Sequence, residues 1–207
     1  MAVIIRKIIE PMAEIFEILT ERISKGYQDA KGYIEQFPDK RLRITPLANR
    51  QKEAGDIALA QIFSTLSRQG FSCDASSTRN RSYFYPLGAT SGAIFSIHRL
   101  SHQAAKLRPA NFRHNHAFNN QYSLIPYIQH DSSKDPYIYI LHGPSEKHGT
   151  ELGFIKLALP SYERNVFIEE MSLPLIRKMS IANAPLPPEK ELEVAVPTPK
   201  RQKKDME

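Results

Sequence analysis

A change in the spacing of hydrophobic residues at Gly70 divides this chain into two parts and does most to constrain its fold. Before that glycine, apolar residues recur every three or four positions, as they do along one face of an α-helix. After it, short β-rich runs follow one another, bounded by loops, as strands do. Helices first and strands afterwards predict an α+β fold, with the helices packed on a mainly antiparallel sheet.

The N-terminal part, residues 1–70, is predicted to contain three helices. The first spans residues 3–25, where Pro11 should kink the helix or mark its true start because an interior proline removes a backbone hydrogen bond. Gly26 is predicted to end it. A short helix over residues 28–37 and a stronger one over residues 50–69 follow, separated by a polar connector. The apolar stripe of the first helix comprises Ile5, Ile8, Met12, Ile15, Leu19 and Ile23.

The second part, residues 71–180, is predicted to hold the strands and to belong to the same domain. Its last three runs are separated by short loops, which favours an antiparallel meander. The segment 181–207 is rich in proline and lacks an apolar period, so it is predicted to be disordered. The predicted strands are Ser82–Pro86, Gly92–Leu100, Tyr122–Gln129, Tyr137–His142, Leu152–Leu159 and Asn165–Met171.

The strand-rich part contains a segment, residues 75–130, that holds no acidic residue in 56 positions; we call it the acid-free segment. The overall composition would place about six acids there, and ordinary surfaces mix both signs of charge. The whole chain carries a formal charge of +6, and the five acids and five bases of residues 189–207 cancel. The positive charge therefore belongs to the body of the protein and favours an anionic partner.

The acid-free segment mixes its basic residues with aromatic and amide side chains. Bases neutralise phosphates, aromatic rings stack on nucleobases and amides bind base edges, so we expect nucleic acid or another polyanion as the partner. In the alternative interpretation, acids of the N-terminal helices such as Glu53 and Asp56 neutralise the segment, and its aromatic residues fill the core. The predicted anion-binding residues are Arg79, Arg81, Arg99, Lys106, Arg108, Arg113, His114 and His116.

A glycine- and proline-containing loop after residue 142 is a second candidate site. His142 and His148 could act as an acid and base pair on a phosphodiester, with Lys147 stabilising the developing charge. Alternatively, the two histidines and Glu146 or Glu151 could hold a zinc-like ion, or the loop is an ordinary polar hairpin. The spacing of the histidines matches no metal signature, so we predict neither a metal nor a cofactor.

Other classes of function lack their motifs. The chain has no phosphate-binding glycine loop and no serine in a nucleophile elbow. Its single cysteine, Cys73, excludes an internal disulfide and fits a reducing compartment such as the cytoplasm. The basic run at residues 200–204 leaves a nuclear location or secretion into a host open, and charges interrupt the only long apolar stretch, so no membrane span is predicted.

The function predicted from the sequence is binding of a phosphate-rich partner, with His-based phosphodiester cleavage as an added hypothesis. The alternative is a non-enzymatic interaction module, such as a bacterial effector or inhibitor, that docks an acidic protein. Whether the protein is an enzyme is left open between these two hypotheses.

Overall fold

In the part of the chain that the structure describes, three α-helices precede six strands, which confirms the α+β fold. The computed structural model describes residues 3–77, 84–107, 135–161 and 166–175, together with Arg113, Ala117 and Asn120. The helices are α1 (Val3–Ile9), α2 (Ala13–Glu35) and α3 (Ile44–Thr65), and the strands are β1 (Ser72–Ser77), β2 (Phe84–Thr90), β3 (Ala93–Arg99), β4 (Tyr137–Gly143), β5 (Phe154–Pro160) and β6 (Phe167–Ser172). The predicted strand at residues 122–129 and the predicted disordered tail lie outside the described residues.

The six strands form one sheet in chain order, from β1 to β6. The predicted meander is confirmed, because β4, β5 and β6 pair antiparallel. β3 and β4 instead run parallel, so residues 100–136 must return the chain to the other end of the sheet. We call these residues the crossover segment. The first strand, β1, was not predicted, because its sequence has almost no apolar residues.

The sheet is covered on both faces, which places its central strands deep in the protein. One face packs against the helices through Phe95, Ile140 and Leu157. The opposite face packs against Leu100, Ala105 and Leu107 of the crossover segment through a separate apolar cluster that includes Tyr139. All seven residues of β4 are consequently buried. A strand with no solvent-facing side suits the uninterrupted apolar run from Tyr137 to Leu141.

The N-terminal helices correct one prediction and confirm another. A 3-10 turn at Glu10–Met12 contains Pro11 and separates α1 from α2, as expected of an interior proline. The prediction that Gly26 ends the helix is wrong, since α2 continues to Glu35 and includes most of the separate helix expected at residues 28–37. A Cβ at position 26 would collide with Ala54 of α3, so this glycine allows two helices to approach closely.

Two adjacent carboxylates on β6 point to opposite sides of the sheet, as the strand geometry predicts. Glu169 accepts hydrogen bonds from the backbone N–H groups of Ile4 (2.9 Å) and Ile5 (3.0 Å). Glu170 instead lies 3.6 Å from the ammonium group of Lys156 on β5. Because a helix N-terminus attracts negative charge, Glu169 fixes α1 against the last strand of the sheet.

Candidate functional site

A pocket opens where β2 and β3 cease to pair. The ladder between these strands ends at Leu87 and Ser96, although β2 pairs with β1 as far as Phe84 and β3 pairs with β4 as far as Arg99. Pro86 lies just beyond the end of the ladder and has no N–H group to extend it. The resulting pocket has a volume of about 440 Å³. Its lining residues are Lys52, Tyr85, Ile97, His98, Arg99, Leu100, Ser101, Ala105, Lys106, Leu107 and Arg113.

The pocket is positively charged. Among the lining residues that the structure describes, four are cationic and none is acidic, and we call it the basic pocket. Lys52 of α3 forms an ion pair of 2.9 Å with Asp56, which offsets one of the four charges. Lys106 is exposed, whereas Arg99 and Arg113 are partly buried. A cleft lined by one sign of charge concentrates oppositely charged ligands. The four cationic residues are Lys52, Arg99, Lys106 and Arg113.

Arg99 is held in place by polar groups from the helices. Its Nε donates to Gln51 Oε1 at 2.8 Å, and Gln51 Nε2 donates to the Gly149 carbonyl oxygen at 3.0 Å. Gln51 is completely buried, so its amide has few other orientations available. Burial lowers the pKa of Arg99, although an arginine remains protonated at physiological pH. The Gln51 amide thereby connects Arg99, a pocket residue, to the loop that joins β4 to β5.

His98 stands at the wall of the basic pocket as an uncharged imidazole. Its Nε2 lies 2.8 Å from the Ser96 hydroxyl, which in turn lies 2.7 Å from the Tyr137 hydroxyl. Tyr139 packs edge-on against the ring, with 5.2 Å between centroids. Burial, with the charge of Arg113 as the next contribution, holds the pKa of His98 well below its usual value. These contacts fix the orientation of the ring and its neutral state.

His142 occupies a different environment, inside the protein. Only 1% of its surface is exposed, and its Nδ1 lies 3.0 Å from the Tyr27 hydroxyl. Burial, followed by the charges of Arg99 and Lys52, lowers the pKa of His142 to about 3. His148 and Lys147 lie exposed in the loop that joins β4 to β5, and His148 adopts a φ of 65°. Cleavage by His142, His148 and Lys147 stays a prediction, and the burial of His142 does not favour it.

The structure brings together part of the predicted anion-binding set. Arg99, Lys106 and Arg113 all line the basic pocket. The other predicted members, Arg79, Arg81, Arg108, His114 and His116, lie outside the described residues. The sequence interpretation missed Lys52, which comes from a distant helix, and His98. For His98 a signal was present, because Ser96 and His98 are two residues apart and share a face of β3.

The alternative interpretation of the acid-free segment is confirmed in part. Phe95 is fully buried in the core, and Tyr85 is 5% exposed, so neither ring offers an open stacking face. Asn120 is fully buried, and its side-chain amide donates hydrogen bonds to backbone carbonyl groups of β4 and β5. Glu53, however, pairs with Arg50 on its own helix, and Arg99 Nε binds the amide of Gln51.

Within the described ranges, no group of three or more His, Cys, Asp and Glu side chains is placed to hold a metal ion. No helix in the same part of the chain has the length and apolarity needed to cross a membrane. Comparison with known protein families, with curated proteins and with solved structures found no match to this chain.

Proposed function

We propose that this protein binds nucleic acid, or another phosphate-rich polyanion, and that the basic pocket is its anchoring site. The observation that carries the proposal is the set of four cationic side chains on one pocket that has no acid among its described lining residues. The ion pair with Asp56 offsets the charge of Lys52. The cationic lining attracts an anion, and the enclosing walls strengthen that attraction by lowering the local dielectric constant.

The chemistry of the pocket suits phosphate in particular. A guanidinium group presents a planar fork of donors that matches two phosphate oxygens, and the pocket contains two such groups, Arg99 and Arg113. Arg99 is already oriented by Gln51, so less side-chain freedom is lost when a ligand binds.

The half-buried Cys73 thiol, whose pKa burial raises, fits a reducing compartment such as the cytoplasm.

The second candidate function is that of a non-enzymatic module that docks an acidic protein. It is favoured by apolar side chains that remain exposed on the helical side, among them Leu42 (60% exposed) and Ile57 (54% exposed). Protein interfaces combine apolar contacts with charge complementarity, so the same cations would then face carboxylates. The two functions differ in whether generic oligonucleotides bind.

The proposal predicts salt-dependent binding of oligonucleotides that depends on the basic pocket. We expect the affinity of a labelled single strand to fall steeply between about 50 and 200 mM salt, because bound phosphates release counterions. The substitution Lys106→Gln should weaken binding and make the log–log salt slope shallower by about one. Fluorescence anisotropy at a series of salt concentrations measures both quantities.

Lys7→Gln is the matched control, since it removes one exposed lysine from α1, which packs against β5 and β6 instead of the pocket. Its affinity and slope should stay within about twofold of the wild type, as expected for a residue that touches no phosphate. Absence of measurable binding at about 50 mM salt, where phosphate contacts are strongest, would contradict the proposal and favour the acidic protein partner.

A further inference from the structure

We infer that the end of the α2–α3 hairpin, residues 33–44, docks on a membrane surface that contains anionic lipids. Six large hydrophobic side chains are exposed in the described part of the chain, and three of them lie in this segment, which we call the hairpin tip. They are Tyr33 (36% exposed), Leu42 (60% exposed) and Ile44 (44% exposed). The described lining of the basic pocket includes no residue of the tip, so the inference concerns a second surface.

The first argument is the position of the tip at the end of two antiparallel helices. A Cβ on Gly26 would collide with Ala54, whereas nearer the tip Ile34 packs with Leu47, so residue numbers rise along α2 as they fall along α3. Ile34, Leu47 and Ala30 form a buried cluster separate from the two that cover the sheet. The end of the hairpin therefore has a small core of its own. The chain reversal beyond that core is a convex feature, unlike the concave sites of small ligands.

The second argument is the charge around the most exposed of these apolar side chains. Leu42 lies in the 3-10 turn Lys40–Arg43, whose other three residues are basic. Asp39 is the only acid among residues 37–44. It pairs with Arg41 at 3.1 Å, but the Arg41 side chain is 90% exposed, so this ion pair contributes little and can be exchanged for a lipid phosphate. Basic residues beside an apolar one attract the surface of an anionic bilayer.

The third argument is that the turn is already formed before any lipid binds. Asp39 Oδ1 accepts from the Arg41 backbone N–H at 2.8 Å, and Arg43 Nε donates to the Phe37 carbonyl oxygen at 2.7 Å. That carbonyl is neutral, so the charge of Arg43 persists. Tyr33 packs against Phe37 with 5.5 Å between ring centroids. A preformed turn loses little conformational freedom on docking, and tyrosine is enriched where membranes meet water.

The order of residues in the turn favours a membrane over an acidic protein. A protein interface groups its apolar side chains in a core from which charged residues are depleted. In the hairpin tip, Leu42 instead lies directly between Arg41 and Arg43. A bilayer accommodates this alternation, because its acyl chains take up the leucine while its headgroups bind the arginines.

Cosedimentation with lipid vesicles tests the inference. We expect vesicles with about 30% phosphatidylserine to bind the protein at least about tenfold more tightly than vesicles of phosphatidylcholine alone. Leu42→Ser should weaken binding to the anionic vesicles at least about fivefold, because the leucine is no longer transferred out of water. Ile18→Ser is the matched control, since it removes another exposed isoleucine-sized side chain from α2, and should stay within about twofold of the wild type.

The contribution of charge is tested in the same assay. Arg41→Gln should weaken binding to the anionic vesicles roughly fivefold, whereas Lys7→Gln, on α1, should change it by less than about twofold. Equal binding of anionic and neutral vesicles, or equal losses for Arg41→Gln and Lys7→Gln, would contradict the role of the basic turn.

A second readout reports insertion directly. The chain contains no tryptophan, so Leu42→Trp introduces a single fluorescent indole at the tip. Its emission should shift to shorter wavelength when anionic vesicles are added, and that of Ile18→Trp should not, because only the first indole enters the bilayer interface. An unshifted emission from Leu42→Trp, or vesicle binding by Leu42→Ser equal to that of the wild type, overturns the inference. If vesicles do not bind but polyglutamate does, and Leu42→Ser weakens that binding, the tip docks an acidic protein and the inference also fails.

Discussion

At the scale of single residues, contacts with distant parts of the chain explain why several positions hold the residue type that they do. Gly55 is the sharpest example, since a Cβ at that position would collide with the His142 imidazole and approach Ile97 to 3.1 Å. The imidazole is in turn held by Tyr27 from another helix. Helix α3 can therefore lie this close to β4 only because position 55 has no side chain.

Replacing Gly55 with alanine should destabilise the protein in spite of the higher helix propensity of alanine. We expect the free energy of unfolding to fall by about 1–3 kcal/mol, because the extra methyl group overfills a packed site. Gly32→Ala is the matched control in the exposed part of α2, where a Cβ would meet nothing within 4 Å. That variant should be neutral or more stable by about 0.5–1 kcal/mol. Urea denaturation measures both, and equal effects of the two substitutions would contradict the predicted clash.

At the scale of elements, the crossover segment makes the parallel pairing of β3 and β4 possible. Asn120 attaches it to the sheet, since its Nδ2 donates to the carbonyl oxygens of Tyr137 and Pro160, both at 2.9 Å. Its Oδ1 accepts from the backbone N–H of Tyr137 at 2.7 Å. One fully buried amide thus serves backbone groups at the beginning of β4 and the end of β5.

Removing this amide should be costly, because three buried backbone groups would lose a partner. For Asn120→Ala we expect a loss of about 2–4 kcal/mol in the free energy of unfolding, given roughly 1–3 kcal/mol for each unsatisfied buried group and partial rescue by water. Asn49→Ala, at an exposed position of α3, removes the same amide without burial and should change stability by less than about 0.5 kcal/mol. Chemical denaturation of both variants gives the comparison, and a similar small loss for both would show that Asn120 is not an anchor.

At the scale of the whole molecule, two histidines with lowered pKa values, His98 and His142, couple folding to pH. The pKa of His142 is lowered to about 3 and that of His98 well below its usual value, in each case mainly by burial. An unfolded chain binds protons at these histidines near pH 6.5, whereas the folded chain does not. The unfolded state therefore binds more protons below about pH 6.5, and stability falls as the pH decreases from that value toward about 3.

The His142→Gln variant should show a weaker dependence of stability on pH. Each proton bound only by the unfolded state contributes about 1.4 kcal/mol per pH unit, so the slope between pH 6 and 4 should decrease by up to about that amount. His148→Gln removes an exposed histidine and should leave the slope unchanged. Thermal or urea unfolding at a series of pH values gives the slopes, and identical slopes for His142→Gln and the wild type would refute this linkage.

The elements that the sequence predicted well are those with a strong local pattern. The apolar stripe of the first helix, the break at Pro11 and the short apolar-rich runs of β4 and β5 depend only on neighbouring residues. The errors arose where contacts override local preference. The sequence predicts a helix end at Gly26, but this glycine packs closely against Ala54 inside a continuous helix. The polar strand β1 forms because it pairs with β2.

The sequence by itself determined the α+β class, the meander and the absence of negative charge from residues 75–130. These features follow from the order of residue types and need no knowledge of which segments meet. Only the tertiary structure decided that Arg99, Lys106 and Arg113 share a pocket with Lys52, that His98 lies at its wall and that His142 is enclosed. The physical reason is that a parallel strand pair, a crossover segment and a helix bring together residues far apart in the chain, and burial then sets the charge state of each histidine.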